Sequence, residues 1–415
     1  MEGIVNFEEI IEQAERKGYF VFADFPSLRL DHAQVKLLKE TLKKKNIPFK
    51  HKTAVGKKNA IPSYTKEDAT HIITALRKGV PPQVGISLFS VGRQNLIERI
   101  HKDLNGVTHG ASRVCFMNAD YGLGKTHSLY RLREIAFYLG FVVSVVTLSE
   151  SFCPIHDFMT VYDKVMWNLR TPDQRSKPAL ENVLGRWLQM IRELGEEQAI
   201  HIIRGLPDNL KSALHAYHES QSPIRPNEEK RMLVLQYLSG KRLYLRDLKK
   251  FDINERIESD NALPMLGYMA SLFKNLGYKG ICILFDEADP IHSFARYEQQ
   301  DQAYNNLFNI ILNSQQSTHC YFLYATTPSF FDNYSRYWPS AYRISENNIF
   351  ELDKLTVQEL QELASNIYGI YCIYKGKTRL ANVDQLLLKL PQEPGFSDSV
   401  GNFVRKCIGI LDELQ

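Results

Sequence analysis

Between residues 113 and 138 the chain passes from an apolar run, RVCFMN, through a glycine turn, ADYGLGKT, into a helical pattern. No other feature narrows the fold as much. A continuous apolar run suits a strand buried on both faces, which in turn calls for a parallel sheet covered by helices. A glycine turn placed after such a strand and before a helix has the form of a phosphate cradle. Gly122 and Gly124 let the backbone curl so that successive N–H groups point at phosphate oxygens. The helix starting at Lys125 adds the positive end of its dipole. The expected nucleotide contacts are therefore Ala119, Asp120, Tyr121, Gly122, Leu123, Gly124, Lys125, Thr126 and His127. Lys125 is expected to reach the β- and γ-phosphates and the Thr126 hydroxyl to ligate Mg²⁺. Ala119 departs from the GxxxxGK[ST] pattern, and a methyl group is tolerable there if φ is negative.

A second apolar run, GICILF, ends in Asp286 and Glu287. Asp286 is the expected second Mg²⁺ ligand and Glu287 the acid that polarises an attacking water. Acids after a strand also cap helices, which is the alternative for Asp289 before Pro290. A third run, CYFLYA, ends in Thr326, expected to orient the water or sense the γ-phosphate, with Thr327 starting the next turn. In the aromatic segment YSRYWPSAYRIS, Arg343 is preferred over Arg336 as an arginine reaching a neighbouring subunit's γ-phosphate. Stacking of either arginine on an aromatic ring is the competing role. Upstream, FSVGR places Gly92 and Arg93 in a turn expected to wall the adenine pocket.

The remaining organisation is coarser. Residues 6–17 and 31–45 read as amphipathic helices around a strand-like 19–23, and 56–62 has loop composition. Strands are expected at 141–148, 280–285 and 320–325. The stretch 154–277 is helical in tone and too long for a simple crossover, and 356–415 reads as about three helices. Hydrophobic residues make up 44% of the 415, charged residues 24%, an ordinary globular balance that excludes fibrous or wholly disordered chains. No apolar run approaches the roughly 18 residues a membrane helix needs. The N-terminal acids argue against a secretory signal, and six scattered cysteines read as buried thiols, so a cytoplasmic location is expected. The net charge of +4 is uneven: residues 31–60 carry nine lysines against Asp31 and Glu40. Such a basic segment suits DNA or an acidic partner, or else a solvated helix face.

Several ordered blocks carry a family resemblance: ALRKGVPP with FSVGR, YGLGKTHSLYRLREIAFYLGF with VVSVVTLSE, and PIHDFMTVYDKVMWNL. Next come DNALPMLGYMASLFKNLGYKGICILFDEAD, ATTPSFFDN and VGNFVRKCIGILDEL. Over roughly residues 65–415 they resemble the ATP-binding proteins of BREX phage-defence loci (the BrxD type), a branch of the AAA+-like P-loop ATPases. The resemblance implies an α/β fold: a parallel P-loop sheet flanked by helices, with a helical insertion, a helical lid and a small N-terminal α/β appendage. The expected division is 1–60 appendage, 65–355 ATPase core with the insertion at 154–277, and 356–415 lid. Lys125 and Thr126 carry over as phosphate and Mg²⁺ contacts, Asp286 and Glu287 as the metal-binding and catalytic acids. Gly401–Asn402 stand where the family has a Pro-Arg pair, with Arg405 as a substitute lid arginine. No winged helix is expected beyond the lid.

The expected function is Mg²⁺-dependent ATP hydrolysis that drives conformational change in an anti-phage assembly with other defence proteins, DNA and further copies of the chain. The competing expectation is a slow or non-hydrolysing ATP switch that recruits a helicase, methyltransferase or nuclease. A small-molecule kinase is disfavoured because Glu287 supplies a water-activating acid.

Overall fold

The long apolar runs assemble into one six-stranded sheet. The computed structural model describes residues 65–287, 291, 294, 296–313, 318–331, 344–377 and 399–413, with the strand residues 20–21 and 49–50. A short parallel pair joins β1 (Phe20–Val21) to β2 (Phe49–Lys50). The large sheet contains β3 (Arg113–Asn118), β4 (Val142–Thr147), β5 (Leu169–Arg170), β6 (Ile281–Asp286), β7 (Cys320–Thr326) and β8 (Ile349–Glu351). Its order is β5-β4-β6-β7-β3-β8, parallel throughout except for the β4–β5 pair. Every residue of β6 and β7 is buried, the pattern of strands covered on both faces. The helices expected at 6–17 and 31–45 and the loop at 56–62 lie outside the described residues.

The described helices of the first half are α1 (Lys66–Arg77), α2 (Gln94–Thr108), α3 (Lys125–Tyr138), α4 (Phe158–Trp167), α5 (Leu180–Leu194) and α6 (Glu196–Ile202). They continue with α7 (Asp208–Ser220), α8 (Glu228–Leu238), α9 (Leu245–Leu248), α10 (Ala262–Asn275), α11 (Tyr297–Asn313), α12 (Val357–Lys375) and α13 (Val400–Glu413). The chain divides into two compact units. One gathers Met1–His101, Tyr121–Tyr138 and Asp353–Gln415; the other gathers Lys102–Asp120 and Leu139–Leu352.

In the first unit, α1, α12 and α13 share a core. Ile72, Ile73 and Leu76 meet Leu360, Leu363 and Ile367, with Phe403, Cys407 and Leu411 from α13. The spacings are helical, so each helix presents one apolar stripe. Capping boxes at Thr65/Asp68 and Thr356/Glu359 start α1 and α12. The Arg77 guanidinium donates to both oxygens of Asp412, at 2.9 and 2.6 Å, and Tyr371 donates to the same carboxylate at 2.7 Å.

The second unit holds the large sheet. The β-branched run VVSVVT forms β4, and the Ser144 hydroxyl within it donates to the Val165 carbonyl of α4 at 2.8 Å. Residues 154–277 contain α4 to α10 with connecting loops, and the two-residue β5 after α4. Trp187 of α5 is buried and donates its indole N–H to the Leu214 carbonyl of α7. All six cysteines are buried free thiols. Among the described residues no helix is long and apolar enough to cross a membrane.

Candidate functional site

The expected nucleotide-handling residues fall into two clusters, one in each unit. In the first unit the chain curls at Gly122 (φ +86°) and Gly124 (φ +94°), a backbone conformation that a Cβ would penalise. It then enters α3, whose first residues are Lys125 and Thr126. The Ser128 amide bonds back to the Gly124 carbonyl at 2.9 Å and starts the helical ladder there. The four leading amides of a helix lack internal partners, so this start supplies donors and partial positive charge. Lys125 holds its ammonium 4.8 Å from the ring centre of Tyr121, which is 77% exposed.

The FSVGR turn braces this loop. Arg93 donates from Nη2 to the Leu123 carbonyl (3.0 Å) and from Nη1 to the Asp353 carbonyl (2.8 Å). One planar fork thus ties the loop backbone to the segment leading into α12. Burial opposes the charge and lowers the guanidinium pKa, while Glu359 and Asp353 partly offset this. Gly92 is at φ +64°, and a Cβ there would lie 2.5 Å from a Glu359 carboxylate oxygen. Phe89 packs edge-on against His127 with ring centres 5.2 Å apart, and the Ser90 hydroxyl lies 2.7 Å from His127 Nε2. Burial, then the charges of Arg131 and Arg93, push the His127 pKa down to about 3, so its ring is neutral at physiological pH. Two turns further along α3, Glu134 accepts from the Ser87 amide (3.2 Å) and pairs with Arg131 (3.0 Å), both acid and base being buried. Within this unit Arg93 and His127 therefore have structural partners of their own, which the sequence pattern did not reveal.

The Val400 amide at the start of α13 donates to the Gly122 carbonyl at 2.9 Å. Gly401 and Asn402 occupy the first turn of α13. Arg405 donates to Asn402 Oδ1 at 2.5 Å, and its Cδ lies 3.5 Å from where a Cβ on Gly79 would stand.

The second cluster lies on the carboxyl edge of the large sheet, where open parallel sheets place their ligands. Register aligns Asn118 with Thr326 and Thr147 with Asp286. Ala119 extends β3 by one bond, its amide donating to the Thr326 carbonyl at 3.1 Å. Ala119 is buried and is not among the residues with positive φ, so its methyl group fits. Thr326 is fully buried at the end of β7, and Asp286, at the end of β6, is 7% exposed. Thr327 opens the next turn: its hydroxyl meets Ser329 Oγ at 2.9 Å and its carbonyl accepts from the Phe330 amide.

Two features of this edge escaped the sequence. Glu287 is exposed and left-handed, at φ +55°, and its amide donates to Asp286 Oδ1 at 3.1 Å. Left-handed backbone at a non-glycine residue costs roughly 1–2 kcal/mol and gathers at functional positions. Asn118 donates from Nδ2 to Glu351 on β8 at 3.0 Å, while its buried Oδ1 has no hydrogen-bond partner among the described residues. A polar residue closing β3 was the available signal. Arg336, Arg343 and Asp289 lie outside the described residues.

A family described as BREX system ATP-binding protein BrxC/D matches residues 65–415 of the chain. Among curated proteins none matches.

Proposed function

Because the chain belongs to the BREX system ATP-binding protein family BrxC/D, and so is an ATP-binding defence component with partners in that system, we propose that it hydrolyses ATP to drive conformational change. The observation that carries this reading is the glycine curl at Gly122 and Gly124 running straight into the start of α3. Such a curl turns amides toward a polyphosphate, and Lys125 adds a full charge for the β- and γ-oxygens. The Thr126 hydroxyl and the buried Asp286 carboxylate are hard oxygen donors of the kind Mg²⁺ takes. When bound, Mg²⁺ would neutralise charge on the phosphate oxygens. Glu287 is assigned as the base: its carboxylate takes a proton from water as the water oxygen attacks the γ-phosphorus and the bond to the ADP oxygen breaks. Thr326 is assigned to orient that water, and Arg343 to reach the γ-phosphate from a neighbouring copy.

Two variants test the reading. Lys125→Ala is expected to lose ATP binding, whereas Glu287→Gln is expected to retain ATP and stop phosphate release. Parent-like turnover by Glu287→Gln removes Glu287 as the base. DNA contact through the lysines of residues 31–60 is a separate proposal, and its affinity should fall steeply with salt and with deletion of that segment.

A second reading, a slow or non-hydrolysing switch recruiting a helicase, methyltransferase or nuclease, takes support from Arg405. That arginine is engaged by Asn402 on its own helix. Tight ATP binding without DNA-stimulated phosphate release would favour this switch.

A further inference from the structure

The helical region between β5 and β6 carries a side-chain cluster unconnected with nucleotide handling. Glu196 opens α6, directly after the C-terminal glycine of α5, and His215 and His218 stand one turn apart on α7. The buried residues of α7 are Leu210, Ala213, Leu214, Ala216, Tyr217 and Ser220, leaving His215 and Glu219 exposed and His218 half-buried. One carboxylate oxygen of Glu196 lies 3.6 Å from His215 Nδ1 and 3.7 Å from His218 Nδ1. The three donor atoms all fall within 4.8 Å of one another. Around a tetrahedral ion with bonds of about 2.0–2.1 Å, neighbouring ligand atoms stand roughly 3.3 Å apart. Two of the three separations are thus within a few tenths of an ångström of that edge, and the third is at most 4.8 Å.

A second carboxylate lies on the far side of the His215 ring. Glu219 Oε1 lies 3.2 Å from His215 Nε2, the ring nitrogen that faces away from Glu196. This is the carboxylate–histidine arrangement that fixes ligating imidazoles. Glu219 is itself bonded to Lys230 of α8. The nearest competing cation on α7, Lys211, is drawn to Asp208 at 2.7 Å.

We propose that Glu196, His215 and His218 form a binding site for a divalent transition-metal ion of the zinc class, with Glu219 as a positioning residue for His215. Two imidazoles and one carboxylate leave a fourth coordination position open to water or a partner's side chain. The bound ion would staple α6 to α7.

The test uses the full chain, stripped with a chelator and titrated with Zn²⁺ by equilibrium dialysis and elemental analysis. Co²⁺ serves as the spectroscopic probe. His215 is 54% exposed, so the double variant His215→Gln/His218→Gln is expected to fold, as circular dichroism checks. The parent should bind one Zn²⁺ more than this variant, and its Co²⁺ complex should show visible d–d bands without thiolate charge-transfer absorption. Glu219→Gln should weaken binding about tenfold to a hundredfold. Lys125→Ala should bind the metal like the parent, which separates this site from the nucleotide reading. Equal Zn²⁺ uptake by parent and double variant, or no uptake by the parent at micromolar metal, overturns the proposal.

Discussion

Arg93 offers the sharpest test of how the glycine loop at 119–124 is held. The sequence pattern makes it part of an adenine wall, whereas in the fold its guanidinium donates to the Leu123 and Asp353 carbonyls at 3.0 and 2.8 Å. Hydrogen bonds from a charged donor contribute roughly 1.5–3 kcal/mol each. The Asp353 contact is at the exposed end, where water can replace the donor, so it belongs at the low end of that range or below. Leu123 is only 5% exposed, so its carbonyl is harder for water to reach. Arg93→Ala is therefore expected to cost about 2–4 kcal/mol, mostly at the loop. A local loss of about 2 kcal/mol raises the opening equilibrium roughly 30-fold. Hydrogen exchange in peptides spanning residues 119–128 should accelerate by that order in the nucleotide-free chain. Affinity should fall alike for ATP, GTP and tripolyphosphate, because the brace acts on the phosphate cradle and not on the base. Arg93→Lys should recover at most one of the two bonds, since an ammonium lacks the planar fork. Unchanged exchange in 119–128 together with a selective loss for ATP over GTP would refute the brace and restore the adenine contact.

Three further outcomes follow from the same unit and the sheet edge. Gly92→Ala should destabilise by about 2–3 kcal/mol in denaturant unfolding, combining left-handed strain with displacement of Glu359 from the α12 capping box; a cost near zero would contradict the geometry. His127 is held below the ordinary value of about 6.5, so the native state binds fewer protons than the unfolded one and stability declines as pH falls from about 6.5 toward 3. His127→Asn should flatten that acid-side decline relative to the parent, and parallel pH–stability curves would count against it. Ala119→Gly restores the commoner glycine, yet Ala119 is buried with an ordinary φ; calorimetry should show no gain in ATP affinity and unfolding a loss of about 0.5–1 kcal/mol.

Much of the second unit was readable from period and composition. RVCFMN, GICILF and CYFLYA form β3, β6 and β7 within a residue of the expected ends, because a strand buried on both faces must be apolar throughout. The short strands β5 and β8 passed unnoticed. Two or three residues carry no period, and their pairing is decided by the strand beside them. In the loop before α3, positive φ at Gly122 and Gly124 follows from the string itself, since only glycine adopts it without strain. The partners of Arg93 do not, because Leu123 and Asp353 offer backbone carbonyls and any residue has one.

By itself, then, the chain's order of residues determined the long apolar strands and where a glycine curl with a lysine behind it forms. Those are local matters of dihedral freedom and of apolar period. Only the folded arrangement decided that β6 and β7 lie between β3 and β4, that α1 shares its core with α12 and α13, and that Glu196 comes within reach of two histidines on another helix. Contacts between distant segments are chosen by which apolar faces can be buried together, and that choice is made by the whole chain at once.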